Sequence, residues 1–257
     1  MSILDKIIEH KLQEISKAKQ RGIPDIDIPD PQPRGFIDSL TSKPEVSIIA
    51  EVKKASPSKG LICADFDPEK IAQDYKEGGA SAISVLTDEN FFQGSLNFLP
   101  LIRQTVDLPL LRKDFIIDHF QIEEAKAFGA DAILLIVAVL DKVLLSELLA
   151  HATEQGLDCL VEVHDPVEAE KALNSGAALL GVNNRNLKDF TVSLDTTFQI
   201  KKLIPENVPL VSESGISTPK DIIKLKEANI QAALVGESVV KDPHRPQLLK
   251  ELVRAGS

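Results

Sequence analysis

Gly129-Ala130-Asp131-Ala132-Ile133-Leu134-Leu135-Ile136-Val137 is the stretch in which the fold can be read. The segment before it, His119 to Phe128, reads as a helix, and a glycine directly after such a segment is a common helix stop. The apolar run that follows shows no alternation, which suits a strand covered on both faces. The same Gly-Ala junction stands at Gly79-Ala80 and at Gly176-Ala177, again between a helix-like segment and an apolar run. A helix stop leading straight into a buried strand is the joint of a βα repeat.

Working outward, eight such runs are found: Val46 to Val52, Ala82 to Leu86, Leu108 to Leu111, Ala132 to Val137, Leu157 to Val163, Ala178 to Val182, Val208 to Val211 and Ala232 to Val235. Between them lie helical stretches such as Pro68 to Glu77, Asp141 to Glu154, Pro166 to Asn174 and Pro219 to Ala228, several with proline in the first turn. Eight buried strands, each followed by a helix, imply a parallel sheet covered by helices, for which closure into a (β/α)8 TIM barrel is favoured. An open doubly wound sheet would carry a glycine-rich turn after its first strand. Lys53-Lys54-Ala55-Ser56-Pro57-Ser58-Lys59-Gly60 stands there instead.

The first 45 residues lie outside the repeat. Ile3, Leu4, Ile7, Ile8, Lys11, Leu12 and Ile15 recur at helical spacing, and the pattern stops near Gly22. A connector with Pro24, Pro29, Pro31 and Pro33 follows, and Phe36 to Leu40 suits a short second helix. The expectation is one α/β domain over 1–257, of which 1–45 is an N-terminal helical extension. No further enzyme is expected after the eighth unit.

A net charge of −10 argues against nucleic acid or an anionic membrane as partner, since both attract basic faces. Cys63 and Cys159 form no CxxC pair, so neither a disulfide framework nor a structural zinc is expected; Cys159 reads as a core residue and Cys63 as a loop thiol. Met1 to Lys11 contains no apolar signal core, and no run is long enough to span a bilayer. A cytoplasmic protein is expected.

In such barrels the chemistry sits at the C-terminal ends of the strands. The first run ends in Glu51-Val52-Lys53, with Glu51 and Lys53 on the inward side and Val52 toward the helices. The third ends in Arg112-Lys113-Asp114, the fifth carries Glu162, and the sixth ends in Asn183. The seventh and eighth end in Ser212-Glu213-Ser214-Gly215 and Gly236-Glu237-Ser238. Any one of these charges could be a solvated rim residue, or Glu51 and Lys53 a buried ion pair. Convergence of several at one end of one barrel favours a functional site, because burying ions costs several kcal/mol each. Gly215 and Gly236 could admit an anion to backbone N–H groups, as is common after the last two strands, or could be turn glycines only. His119 and His164 have no partner set by spacing and read as non-catalytic. With no metal-ligand cluster, nucleophile elbow or Walker loop, acid–base chemistry by lysines and carboxylates remains.

Glu51-Val52-Lys53-Lys54-Ala55-Ser56-Pro57-Ser58-Lys59-Gly60 closely resembles the signature of the indole-3-glycerol phosphate synthase family. Phe91-Phe92-Gln93-Gly94-Ser95, Leu111-Arg112-Lys113-Asp114-Phe115, Gly181-Val182-Asn183-Asn184-Arg185-Asn186-Leu187 and Ser212-Glu213-Ser214-Gly215 extend that resemblance over nearly the whole chain. It implies ring closure, decarboxylation and dehydration of 1-(2-carboxyphenylamino)-1-deoxy-D-ribulose 5-phosphate, without metal or cofactor, by a monomer. It further implies Lys113 as general acid in ring closure, and Lys53 as contact to the carboxylate and aid to water loss. Glu51 and Glu162 would be acid–base carboxylates, with Asn183 and Arg185 on the substrate hydroxyls. The phosphate would rest on Ser56, Ser214, Gly215, Gly236 and the backbone of Glu237. Phe92, Phe115, Leu134 and Leu187 would line the slot for the aromatic ring. The extension either caps one barrel end or folds over the mouth; trimming about 40 residues would then raise the Michaelis constant. A phosphoribosylanthranilate isomerase-like barrel and a catalytically silent one are the rivals.

Overall fold

The computed structural model describes residues 2–28, 32–186 and 190–257. Eight parallel strands close into a barrel: β1 (Ser47–Val52), β2 (Ala82–Leu86), β3 (Leu110–Lys113), β4 (Ala132–Ile136), β5 (Asp158–Val163), β6 (Leu180–Asn183), β7 (Leu210–Glu213) and β8 (Ala232–Val235). β1 pairs with both β2 and β8, which closes the cylinder. The expected barrel is therefore present. Four of its helices lie close to the expected spans: Pro68–Gly78, Lys142–Gln155, Pro166–Asn174 and Pro219–Glu227. Asp67, Asp141, Asp165 and Thr218 cap them by accepting backbone N–H bonds, leaving fewer orphan donors at each start.

Three strands, β3, β6 and β7, begin two residues later than the apolar runs suggest. β3 and β7 start only after Pro109 and Pro209, which have no N–H to give to a ladder. Their carbonyls still accept from Ile83 and Leu180. At their other ends β3 and β7 run on through Arg112, Lys113, Ser212 and Glu213, which fixes which way each one faces.

Alternation along the strands sorts the apolar residues into two cores. Ile48, Ala50, Val52, Val161, Val163 and Val235 pack outward under the helices. Ile49, Leu111, Leu134, Ile136, Leu160, Val211 and Leu234 fill the interior. Glu51 and Lys53 share the parity of Ile49, as expected, and Val52 faces the helices.

The extension divides its work between the two ends of the barrel. α1 (Ile3–Arg21) lies along the mouth side, and α2 (Phe36–Thr41) closes the other end, with Phe36 and Leu40 fully buried in the interior core. Asp158, at the start of β5, accepts from the Ile37 N–H at 2.9 Å and so holds the first turn of α2. Trimming 40 residues would therefore unplug the barrel as well as uncover the mouth, and the experiment expected from sequence cannot separate the two.

α1 is amphipathic as expected, but its apolar face includes one fully buried cation. Lys11 lies 3.1 Å from Asp88, 2.9 Å from Asp114 and 3.0 Å from Glu14, and burial alone would make that ammonium costly. Asp88 and Asp114 belong to the loops after β2 and β3, so the charge anchors α1 over the mouth. Ile3, Leu4 and Ile7 then reach the cavity below. Exchanging Ile7 for serine should raise the Michaelis constant on the order of tenfold, with little change in kcat, since burying such a side chain is worth about 1.5–3 kcal/mol. Steady-state kinetics would check this, and an unchanged KM would mean that α1 is only a cover.

Candidate active site

The inward parity of four strands brings the ionisable groups to one place. Lys113 from β3 lies 3.1 Å from Glu213 of β7, 3.7 Å from Glu162 of β5 and 3.8 Å from Glu51 of β1. Lys53 contacts the other Glu51 oxygen. All five line a cavity of about 490 Å³ at the C-terminal ends of the strands, together with Asn183, Arg185, Ser56, Ser214, Gly215, Gly236 and Glu237. Phe92, Phe115 and Leu134 form an apolar wall, the two rings lying 6.1 Å apart. Leu187 lies outside the described residues.

Glu213 is the member that sequence reasoning missed. Ser-Glu-Ser-Gly drew notice as an anion loop, yet its glutamate has the inward parity of Val211 and is Lys113's nearest carboxylate. Strand parity could have found it. Room for it is made by Gly181: a Cβ there would sit 2.2 Å from Glu213 Oε1. Gly236 does the same for its neighbours, since a Cβ would fall 2.4 Å from Glu51 Oε2 and 3.2 Å from Lys53 Nζ. Any side chain at that position would therefore have to displace the ion pair. Gly215 has φ +79 and Ser214 φ +67, a left-handed pair that side chains rarely adopt. Asn184 holds that turn by donating to the Ser214 carbonyl at 3.1 Å.

Asn183 is tightly tied. Its amide donates to Glu162 at 3.2 Å, while its oxygen accepts from the Arg185 N–H at 3.0 Å and from the Ser214 hydroxyl at 2.9 Å. The Ser214 hydroxyl is thus turned toward Asn183. Glu237 directs its carboxylate to Lys241 at 2.6 Å, away from any role as a direct anion ligand, and opens the short helix Glu237–Val240.

Burial and charge pull these groups in opposite directions. Burial would lower the Lys113 pKa, but Glu213, Glu162 and Glu51 outweigh it and hold the ammonium protonated. Burial would raise Glu51 and Glu162, and the neighbouring ammoniums bring both below the ordinary carboxylate range. For Glu213 burial wins: despite Lys113, its carboxyl is pushed up to about 7, with Glu162 and Glu51 adding to the rise. A carboxyl that binds its proton more tightly folded than unfolded stabilises the fold below about pH 4.5, and that contribution is lost as pH rises through about 7. Glu213→Gln should therefore raise Tm relative to the parent at pH 8 and change the difference little at pH 4.5. Thermal melts at both pH values check this, and an equal difference at the two would refute it.

The histidines require a correction. His119 begins a helix (His119–Ala127) and packs edge-on against His151 at 5.1 Å, away from the cavity lining. His164 does have partners: Glu162 at 3.3 Å and Glu168 at 3.0 Å. Cys63 lies in a loop as expected but is buried, and Cys159 is a core residue as read. Among the described residues no cluster of metal-ligating side chains is found, and no helix is long and apolar enough to cross a membrane.

Sequence comparison decides the family. The model of the family "Indole-3-glycerol phosphate synthase" matches residues 4–252. The chain belongs to the indole-3-glycerol phosphate synthase family. A relative of that name from Desulfotalea psychrophila is 52% identical, over 98% of each chain. Another from Acinetobacter baylyi is 50% identical over 98% of this chain and 95% of its own. Solved structures add the fold alone: 3-hexulose-6-phosphate synthase from Salmonella typhimurium superposes with a TM-score of 0.68 at 14% identity, covering 82% of this chain and 98% of its own. As a member of the indole-3-glycerol phosphate synthase family, the chain is a carboxy-lyase of tryptophan biosynthesis.

Proposed function

We propose that this cavity takes 1-(2-carboxyphenylamino)-1-deoxy-D-ribulose 5-phosphate, closes its five-membered ring, and releases carbon dioxide and water to leave indole-3-glycerol phosphate. The observation that carries the reading is the Lys113 ammonium ringed by three carboxylates from three strands, beside an aromatic wall. Lys113 acts as the acid at the ketone oxygen when the ring carbon attacks. Lys53 draws the departing carboxylate, and Glu162, with Glu51, takes the proton lost from the carbon that becomes part of the indole double bond. Asn183 and Arg185 orient the hydroxyls. The phosphate rests on Ser56, Ser214, Gly215, Gly236 and Glu237, with the ring between Phe92, Phe115 and Leu134.

The shape supports this assignment. A cavity of about 490 Å³ is in the range of small-molecule sites, and its apolar and ionic walls match the two halves of the substrate. A positioned proton donor typically contributes about 10²–10⁴-fold in rate. We place it in the cytoplasm, acting as a monomer. The assay supplies the substrate and follows indole fluorescence together with carbon dioxide; release of neither would overturn the proposal.

A further inference from the structure

The two rings of the apolar wall are each set by a buried carboxylate beside them in the chain. Phe92 ends a helix of only four residues, Glu89–Phe92, too short to hold itself. Asp88 caps that helix by accepting the Phe91 N–H at 2.7 Å, and left-handed Gln93 (φ +52) ends it. Phe115 follows Asp114 directly, and Asp114 Oδ1 accepts the Phe115 N–H at 2.8 Å. Moving either carboxylate therefore moves a ring.

Lys11 is the group that these carboxylates have in common. Its ammonium reaches the same Asp114 Oδ1 and also Asp88 Oδ2, and all three side chains are at most 1% exposed. Burial would strip the charge from Lys11, but Asp114, Asp88 and Glu14 keep it protonated. The two carboxylates do not depend on it equally. Asp114 also holds Arg112 at 3.1 Å and the Thr87 hydroxyl at 2.6 Å. Asp88 Oδ2 accepts no hydrogen bond, and Lys11 is the only cation within 4 Å of it among the described ion pairs. A buried anion compensated by one charge alone cannot stay in place once that charge is gone.

We propose that Lys11 is a positioning residue for the aromatic ring of the substrate: its charge holds Asp88 in place, and Asp88 holds Phe92 opposite Phe115. The inference rests on the proposed function, which puts the ring in that slot, and adds to it a side chain that does not line the cavity. Lys11 lies one helical turn beyond Ile7, on the same face of α1. One segment thus supplies the apolar cover through Ile3, Leu4 and Ile7 and fixes the wall through its ammonium. The phosphate end, on Ser56, Ser214, Gly215 and Gly236, takes no part in these contacts. Loss of Lys11 should loosen the grip on the ring and spare the grip on the phosphate.

The test reads two constants on each variant at fixed ionic strength: KM for the full substrate, and the inhibition constant of inorganic phosphate, which has no ring. A fraction of unfolded enzyme lowers kcat but moves neither constant. Lys11→Met should raise KM on the order of tenfold, what the loss of one well-placed aromatic contact allows. The phosphate constant should stay within about twofold, the scatter expected of uncoupled sites. Lys11→Met combined with Asp88→Asn removes both charges and keeps an oxygen for the Phe91 N–H, so KM should return to within about threefold of the parent. A double variant no better than Lys11→Met would overturn the proposal, since Lys11 would then merely clamp α1. An unchanged KM in Lys11→Met, or a phosphate constant weakened as much as KM, would overturn it too. If Lys11→Met does not fold, Asp88→Ala decides: a raised KM with a parent-like phosphate constant supports the assignment, and any other pair of values refutes it. A parent enzyme that yields no indole would instead sink the functional reading itself.

Discussion

Lys113→Ala is expected to lower kcat by at least about two orders of magnitude while leaving the fold and its melting temperature close to those of the parent. The expectation follows from position. Lys113 ends β3 with inward parity, and its ammonium is the only one within 4 Å of three separate glutamates among the described ion pairs. Removing it takes away the proton donor and leaves Glu51, Glu162 and Glu213 facing one another without the charge that lets them ionise together. They can respond by binding protons, which is why the fold should survive. Single-turnover measurement with circular dichroism on the same sample checks both halves. Near-normal turnover in a folded variant would remove Lys113 from the mechanism.

The opposite outcome is expected at the other end of the barrel. Asp131→Ala should destabilise the protein by about 3–5 kcal/mol, the cost typical of leaving a buried ion without its partner. Asp131 and Arg103 are each about 1% exposed at their side chains and meet at 2.9 Å. The same carboxylate accepts the N–H groups of Arg34 at 2.9 Å and Leu110 at 2.8 Å, tying the extension and β3 to the start of β4. Arg103 continues the tie by donating to the carbonyls of Gly129 and Gln32. At roughly 2–4 °C per kcal/mol for a chain of this size, Tm should fall by about 6–20 °C. KM at low temperature should hold, because nothing here touches the mouth. A loss under about 2 °C would show that the network contributes little.

These two residues show what could be read in one dimension. Lys113 was legible: it ends an apolar run, and it lies in a motif that resembles the family's. Asp131 stands in the stretch that gave away the βα repeat, yet nothing in its neighbours announces Arg103, 28 positions away, as its partner. Glu213 was half-legible, since its loop was recognised but its direction was not. His164 was read as having no partner, yet Glu162, two positions back, and Glu168, four positions on, both reach its ring. Lys11 was seen only as a member of an amphipathic helix, and its burial depends on two loops that arrive from elsewhere.

Periodicity, glycine stops and strand-end polarity, taken alone, determined the eight-unit barrel and the end that holds the chemistry, because those signals are local and repeat with each unit. They also supplied Glu51, Lys53, Lys113, Glu162 and Asn183 as members of one site, since parity within a strand needs no coordinates. Closure of the barrel decided the rest. Only then did three carboxylates come to share one ammonium, did burial push Glu213 up while charge held Glu51 down, and did one helix of the extension go to the mouth and the other to the base. Distances across a barrel depend on how all its strands stagger together, and no single segment carries that information.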